Sequence, residues 1–230
     1  MAGWNLKIGV LDKSKIDEKQ IWGLFNAFFS RGTTMKNLYK INLVRSLILI
    51  ADKNMNGRNI FFDLTNEFGK IFWNLKRELN LNITIFNGVS IKSHQEKSIE
   101  EIYIENLHTK LVFFDHLDND IKKKYFLKTK KTLKTNVIGA VYNDFKKKIF
   151  SFDLKCEELI MNEDFLNFFI KNREILIQLL QYREIEFLKL TESNGLKIQK
   201  YIEEKLTLDK YSENFFDLIN EEINKKTGER

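Results

Sequence analysis

This sequence predicts an α+β fold, mainly α, on three observations: apolar residues recur at helical spacing through most of the chain, capping signals precede those runs, and one stretch near the middle is strand-like. That stretch is "NVIGAVYNDFKKKIFSFDLK" at 136–155. The expected architecture is a helical lobe over 1–92, a helix, β-hairpin and helix region over 93–195, and C-terminal helices with a polar tail over 196–230. A chain of 230 residues, 43% hydrophobic, can bury one good-sized core or two modest ones without disulfides or a structural metal.

Asp17 followed by Gln20 has the spacing of a capping box, with Ile16 and Ile21 set to staple the first turn. A first helix is expected from there to about Ser30, stopped by Gly32. A second runs from about Met35 to Asp52 with Leu38, Ile41, Val44, Leu47 and Ile48 on one face, and "NMNG" at 54–57 is a turn. The third carries a broad apolar stripe through Phe61, Leu64, Phe68, Ile71, Phe72, Leu75 and Leu79. "LNITIF" at 81–86 alternates like a short strand. Ser98 and Glu101 form a second capping box ahead of Ile99, Ile102 and Leu107, and Asp118 or Asp120 caps a lysine-rich helix to about Leu133. Beyond the hairpin, Asn162 caps a helix with Phe165, Phe168 and Phe169, and a longer one continues through Leu176, Leu179, Leu180 and Phe187 to the stop "SNG" at 193–195. Residues 196–230 read as two thinner amphipathic helices.

The hairpin stretch, followed by "FLNFFIKNREILIQLLQYREIEFLKL", resembles the region upstream of the catalytic domain in bacterial HNH-type endonuclease proteins associated with restriction and phage defence. An early lobe like "YKINLVRSLILIADKNMNGRNIFFDLTNEFGKIFW" at 39–73 resembles the same group. The catalytic ββα module of such proteins needs a histidine base and metal ligands after the hairpin, and downstream of Cys156 this chain has neither histidine nor further cysteine. The resemblance therefore implies the accessory portion, without the HNH module, either standing alone or cut from a longer protein: the favoured expectation is a non-catalytic component of a restriction or phage-defence system that binds double-stranded DNA, with a catalytic nuclease subunit as a further candidate partner.

Several function classes are unsupported by any motif. There is no Walker A sequence, no GxGxxG and no GxSxG. The longest apolar run, Leu47 to Ala51, is too short to span a bilayer, so no membrane partner is expected. A single cysteine and no leader-like amino terminus point to a reducing cytoplasm.

The net charge of +6 favours a polyanion, although abundant Lys, Asn, Ile and Phe without proline also mark an AT-rich genome, so distribution counts for more than the total. The densest cluster is "KKKYFLKTKKTLK" at 122–134, with Lys122, Lys123, Lys124, Lys128, Lys130, Lys131 and Lys134; Lys146, Lys147 and Lys148 in the expected hairpin turn form a second. These ten are the candidate nucleic-acid contacts, since lysines neutralise phosphates without reading sequence. Tyr125 and Phe126 either anchor that helix or stack on bases, and Arg31 and Lys36 are further candidates for phosphate.

The enzymatic alternative is a Mg²⁺-dependent nuclease of the PD-(D/E)xK type, in which Asp144 and Asp153 hold the metal and Lys155 stabilises developing charge. Against it stands the reading of Asp144 as a turn residue and Asp153 as part of a solvated strand face. "FFDHL" at 113–117 is similar to the Asp-His strand of an HNH unit, with Asn136, Asn143 and Lys147 as later positions, but it lacks the cysteines and a second ligand histidine. His94 and His108 are too isolated for zinc, and Cys156 has no histidine partner. Neither a metal nor a cofactor is expected outside the nuclease alternative. A third alternative is a protein-interaction subunit. Trp22, Trp73 and the phenylalanines at 61, 68, 165, 168 and 169 are expected in the core.

Overall fold

A computed structural model describes residues 6–30, 38–53, 58–79, 84–86, 89–105 and 113–189. The stops at Gly32, "NMNG" and "SNG", the candidates Arg31, Lys36 and His108, residues 81–83 and the expected helices of 196–230 lie outside them. The fold is α+β, mainly α, with a small antiparallel sheet. Strand β1 (Ile8–Gly9) is followed by α1 (Glu18–Phe29), α2 (Tyr39–Ile50) with a 3-10 turn at Ala51–Lys53, and α3 (Phe61–Leu79). Next come the paired strands β2 (Thr84–Phe86) and β3 (Val89–Ile91), then α4 (His94–Glu105), a 3-10 turn at Phe114–His116, and α5 (Asn119–Thr132). A π-helical segment at Leu133–Val137 joins α5 to α6 (Ile138–Asp144). Strands β4 (Phe150–Asp153) and β5 (Glu158–Met161) precede α7 (Glu163–Lys171) and α8 (Arg173–Lys189).

The Asp17–Gln20 capping box is formed in both directions, and Ile16 and Ile21 are buried beside it. The other expected box shifts by five residues. Ser93 Oγ accepts from the Glu96 amide at 3.2 Å while Glu96 Oε2 accepts from the Ser93 amide at 2.7 Å, so α4 starts at His94. Ser98 is inside the helix with its hydroxyl on the His94 carbonyl. Both Ser-x-x-Glu quartets fit the pattern, and the earlier one forms, which brings Gln95 into the helix, buried and hydrogen-bonded to Tyr39, Tyr125 and Thr129.

The main core takes residues from α1, α2 and α3 and from 133–188 alike, so it lies across residue 92. Its centre is aromatic: Phe145 packs on Phe25 at 5.1 Å and on Phe28 at 5.2 Å between centroids, and Trp22 meets Phe168 edge-on at 5.0 Å. Each fully buried ring of this kind contributes about 1.5–3 kcal/mol. A satellite cluster of Trp73, Ile99, Ile102, Phe114 and Tyr125 joins α3, α4 and α5. There Gly69 lets α3 approach α5: a β-carbon on it would come within 3.2 Å of the Tyr125 ring and Thr129 Oγ1. Gln95 Nε2 donates to Tyr125 Oη at 2.7 Å and to Thr129 Oγ1 at 2.6 Å, which makes burial of those hydroxyls tolerable. Burial also pushes the Tyr125 hydroxyl pKa up.

The hairpin is displaced from its expected position. Residues 136–144 are helical, not a first strand, because Val137 to Tyr142 are all buried and a helix satisfies their backbone within itself. Helix α6 ends in a Schellman arrangement, the Lys147 amide donating to the Tyr142 carbonyl and the Lys146 amide to that of Asn143. Both lysines adopt left-handed backbone, with φ of 50° and 65°. The true hairpin is β4–β5, pairing Phe150 with Met161 through Asp153 with Glu158. Strand β1 completes the sheet in the order β1-β4-β5, with Ile8 opposite Asp153. Gly9 is required there, since a β-carbon would sit 2.3 Å from the buried Phe152 ring. On the far edge, Asn59 Oδ1 accepts from Leu159 N at 3.1 Å and Ile60 N donates to the Leu159 carbonyl, which fixes the start of α3 to β5.

Candidate functional site

Helix α5 and the π-helical segment that continues it present three faces. Tyr125, Thr129 and Thr132 point into the core; Lys124 and Lys128 face α4; Lys130 and Lys134 face the β4–β5 turn. The lysines on the two flanks are engaged by acids. Lys124 pairs with Glu105, Lys128 with Glu101 at 2.6 Å, and Lys130 and Lys134 both with Glu157 at 2.9 and 3.1 Å. These contacts hold the Glu157 carboxyl below the usual range, through Lys130 and then Lys134, and that of Glu101 below it through Lys128. Glu157 itself sits at φ 56° in the hairpin turn, a position that aims it at α5.

The remaining candidates differ. Lys122 Nζ donates to the Asp115 carbonyl at 2.8 Å, Lys148 Nζ donates to Ser14 Oγ at 2.7 Å with Asp12 at 3.6 Å, and Lys123 lies 3.9 Å from a fully solvated Asp120. Lys131, Lys146 and Lys147 are exposed with no acidic partner among the described residues. Of ten candidate phosphate contacts, then, three are unengaged. Local sequence pattern does not single out Glu101, Glu105 and Glu157 as their counterparts; the one available signal is that acids at 101 and 105 lie one helical turn apart, as do lysines at 124 and 128.

The nuclease candidates are spread over three different local structures. Asp144 closes α6 and pairs with Lys40 of α2 at 2.7 Å. Asp153 Oδ1 accepts from the Lys155 amide at 2.8 Å and the Cys156 amide at 3.1 Å, which organises the β4–β5 turn and holds its carboxyl below the usual range. Lys155 is in that turn and not on the strand, so Asp153 and Lys155 do not share a strand face as expected. The neighbouring Asp153 carboxylate pushes the exposed Cys156 thiol up, away from the reactive thiolate. The HNH-like "FFDHL" forms a 3-10 turn in place of the expected strand, with Asp115 paired to Lys70 at 2.7 Å. Among the described residues no group of three or more His, Cys, Asp or Glu gathers to hold a metal, and no helix is long and apolar enough to cross a membrane.

The expected core aromatics are in place: Trp22, Trp73 and the phenylalanines at 61, 68, 165, 168 and 169 are all buried. Tyr125 is an anchor within the core, and Phe126 packs on exposed Phe62 at 4.9 Å. Outward-facing apolar side chains remain on the helical pair α4–α5, where Ile104 and Leu127 are 58% and 59% exposed. In sequence Ile104 falls between Glu101 and Glu105 on α4, and Leu127 between Lys124 and Lys128 on α5. Leu6, Ile8 and Val10 form a second exposed apolar row along β1. No protein-family model, curated protein or solved structure matches this chain.

Proposed function

We propose that this chain is a non-catalytic interaction subunit whose working surface is the outward face of α4 and α5. The observation that carries the reading is the combination on that face of exposed Ile104 and Leu127 with lysines already neutralised by Glu101 and Glu105. A phosphate backbone would meet those carboxylates as like charges, whereas a protein surface uses apolar anchors surrounded by mixed polar groups. Its test is a photo-crosslinking amino acid introduced at position 127, with one at position 155 in the β4–β5 turn as control. A discrete higher-mass adduct at 127 and none at 155 is expected; adducts at neither position, or equally at both, would overturn the reading.

A second reading is duplex DNA binding, favoured by Lys131, Lys146 and Lys147, which have no acidic partner among the described residues. On that reading the chain is the DNA-contacting accessory portion of a restriction or defence system in the bacterial cytoplasm, and the resemblance to endonuclease proteins suggests a catalytic nuclease subunit as its companion. Fluorescence anisotropy with a labelled duplex tests it: affinity must fall with added salt and fall again in a Lys146→Ala, Lys147→Ala double variant.

A further inference from the structure

The α4–α5 face is complementary to itself, and on the interaction reading just proposed we infer that its partner is a second copy of this chain. Glu101 meets Lys128 and Glu105 meets Lys124, so the two helices run antiparallel with one acidic and one basic stripe side by side. The acidic stripe carries Ile104 and the basic stripe Leu127, each more than half exposed. A two-fold axis along the groove between the helices lays α4 of one copy over α5 of the other. Acid then faces lysine twice over, and Ile104 of each copy faces Leu127 of its mate.

This is the isologous arrangement of a closed dimer, in which one patch serves both sides. The central ion pairs are also better served by a second copy than by a purely apolar partner. An apolar surface would strip water from four charges without replacing it, at a net loss. A second copy offers each carboxylate another ammonium. Helices of 12 and 14 residues extend about 20 Å, so the patch is at the small end of specific interfaces and the dimer is expected to be of micromolar strength.

Sedimentation equilibrium of the full chain, from ~1 μM to a few hundred μM, tests this directly. The expected result is a mass rising toward twice that of the chain, with Leu127→Glu and Ile104→Glu each raising the dissociation constant about tenfold or more. Both side chains are exposed, so the circular dichroism melt of each variant should match the parent, which separates a lost interface from a lost fold. A single-chain mass at every concentration overturns the inference, and so does a dimer indifferent to both variants. If the chain is monomeric yet the position-127 crosslink captures a different protein, the second copy is excluded while the interaction surface stands. If it is monomeric and nothing is captured, both fall.

Discussion

Neutralising three glutamates should convert a basic helix with few free charges into one that engages phosphate along both flanks. Glu101, Glu105 and Glu157 together engage Lys128, Lys124, Lys130 and Lys134. In the parent only Lys131, Lys146 and Lys147 of the ten candidates make neither a side-chain hydrogen bond nor an ion pair among the described residues, so a bound duplex would release about three counterions. The slope of log affinity against log salt is then about −2.7, and a rise from 50 to 200 mM salt weakens binding about 40-fold, taking about 0.9 per phosphate neutralised. The triple variant Glu101→Gln, Glu105→Gln, Glu157→Gln frees four more ammonium groups. Its slope becomes about −6.3 and the same change of salt costs about 6,000-fold, on the same scale. Fluorescence anisotropy of a labelled duplex at four or more salt concentrations measures both slopes. Equal slopes in the two proteins would refute the assignment of those lysines, and a parental slope near −9 would mean that all ten reach phosphate.

Three further outcomes follow from the packing. Gly9→Ala drives a methyl group into the buried Phe152 ring, and should lower stability by about 1–3 kcal/mol in urea unfolding; an unchanged midpoint would mean that β1 is not seated on β4 as described. Lys146→Gly relieves left-handed backbone at the end of α6 and should raise stability by about 0.5–1 kcal/mol, with Lys147→Gly acting the same way; loss of stability in both would argue against the Schellman ending. Tyr125→Phe leaves Gln95 Nε2 with Thr129 alone and should cost about 1–2 kcal/mol, read as a lower thermal midpoint, whereas no loss would deny the buried network.

How much of this was legible in the sequence varies with the physics of each segment. Helices α1 and α7 were readable because each pairs a one-sided apolar stripe with a local cap, at Asp17 and at Asn162, whose side chain accepts from the Asp164 amide, and α3 was readable from its long apolar stripe alone. Helix α6 was not. A run such as Val137 to Val141, apolar on every side and rich in β-branched residues, has the composition of a buried strand, and nothing local distinguishes it from the buried helical segment it forms against α2. The turn at 145–148 and the hairpin register shifted with it.

The lysine cluster was visible as a charge run, yet its meaning depended on partners far along the chain. Glu157 is 27 residues from Lys130 and Glu101 is 27 from Lys128, separations that no local pattern connects. Asp144 and Asp153 illustrate the converse. Their order in sequence matched a metal motif, while the bonds that occupy them, to Lys40 and to the Lys155 and Cys156 amides, follow from tertiary placement and from turn chemistry.

The proposed surface requires that the lysines flanking α5 and the segment after it be held by carboxylates of this same chain. Carbon-detected NMR titration of the Glu157 carboxyl measures that directly, because a carboxylate paired in the native state ionises below its usual range, and the stability this gives is present at neutral pH and lost as pH falls through the lowered value. The expected result is a Glu157 midpoint below that of an unpaired glutamate, moving up toward it in Lys130→Met and again when Lys134→Met is added. A midpoint at the ordinary glutamate position in the parent, unmoved by either substitution, would show those lysines to be free and would contradict the account.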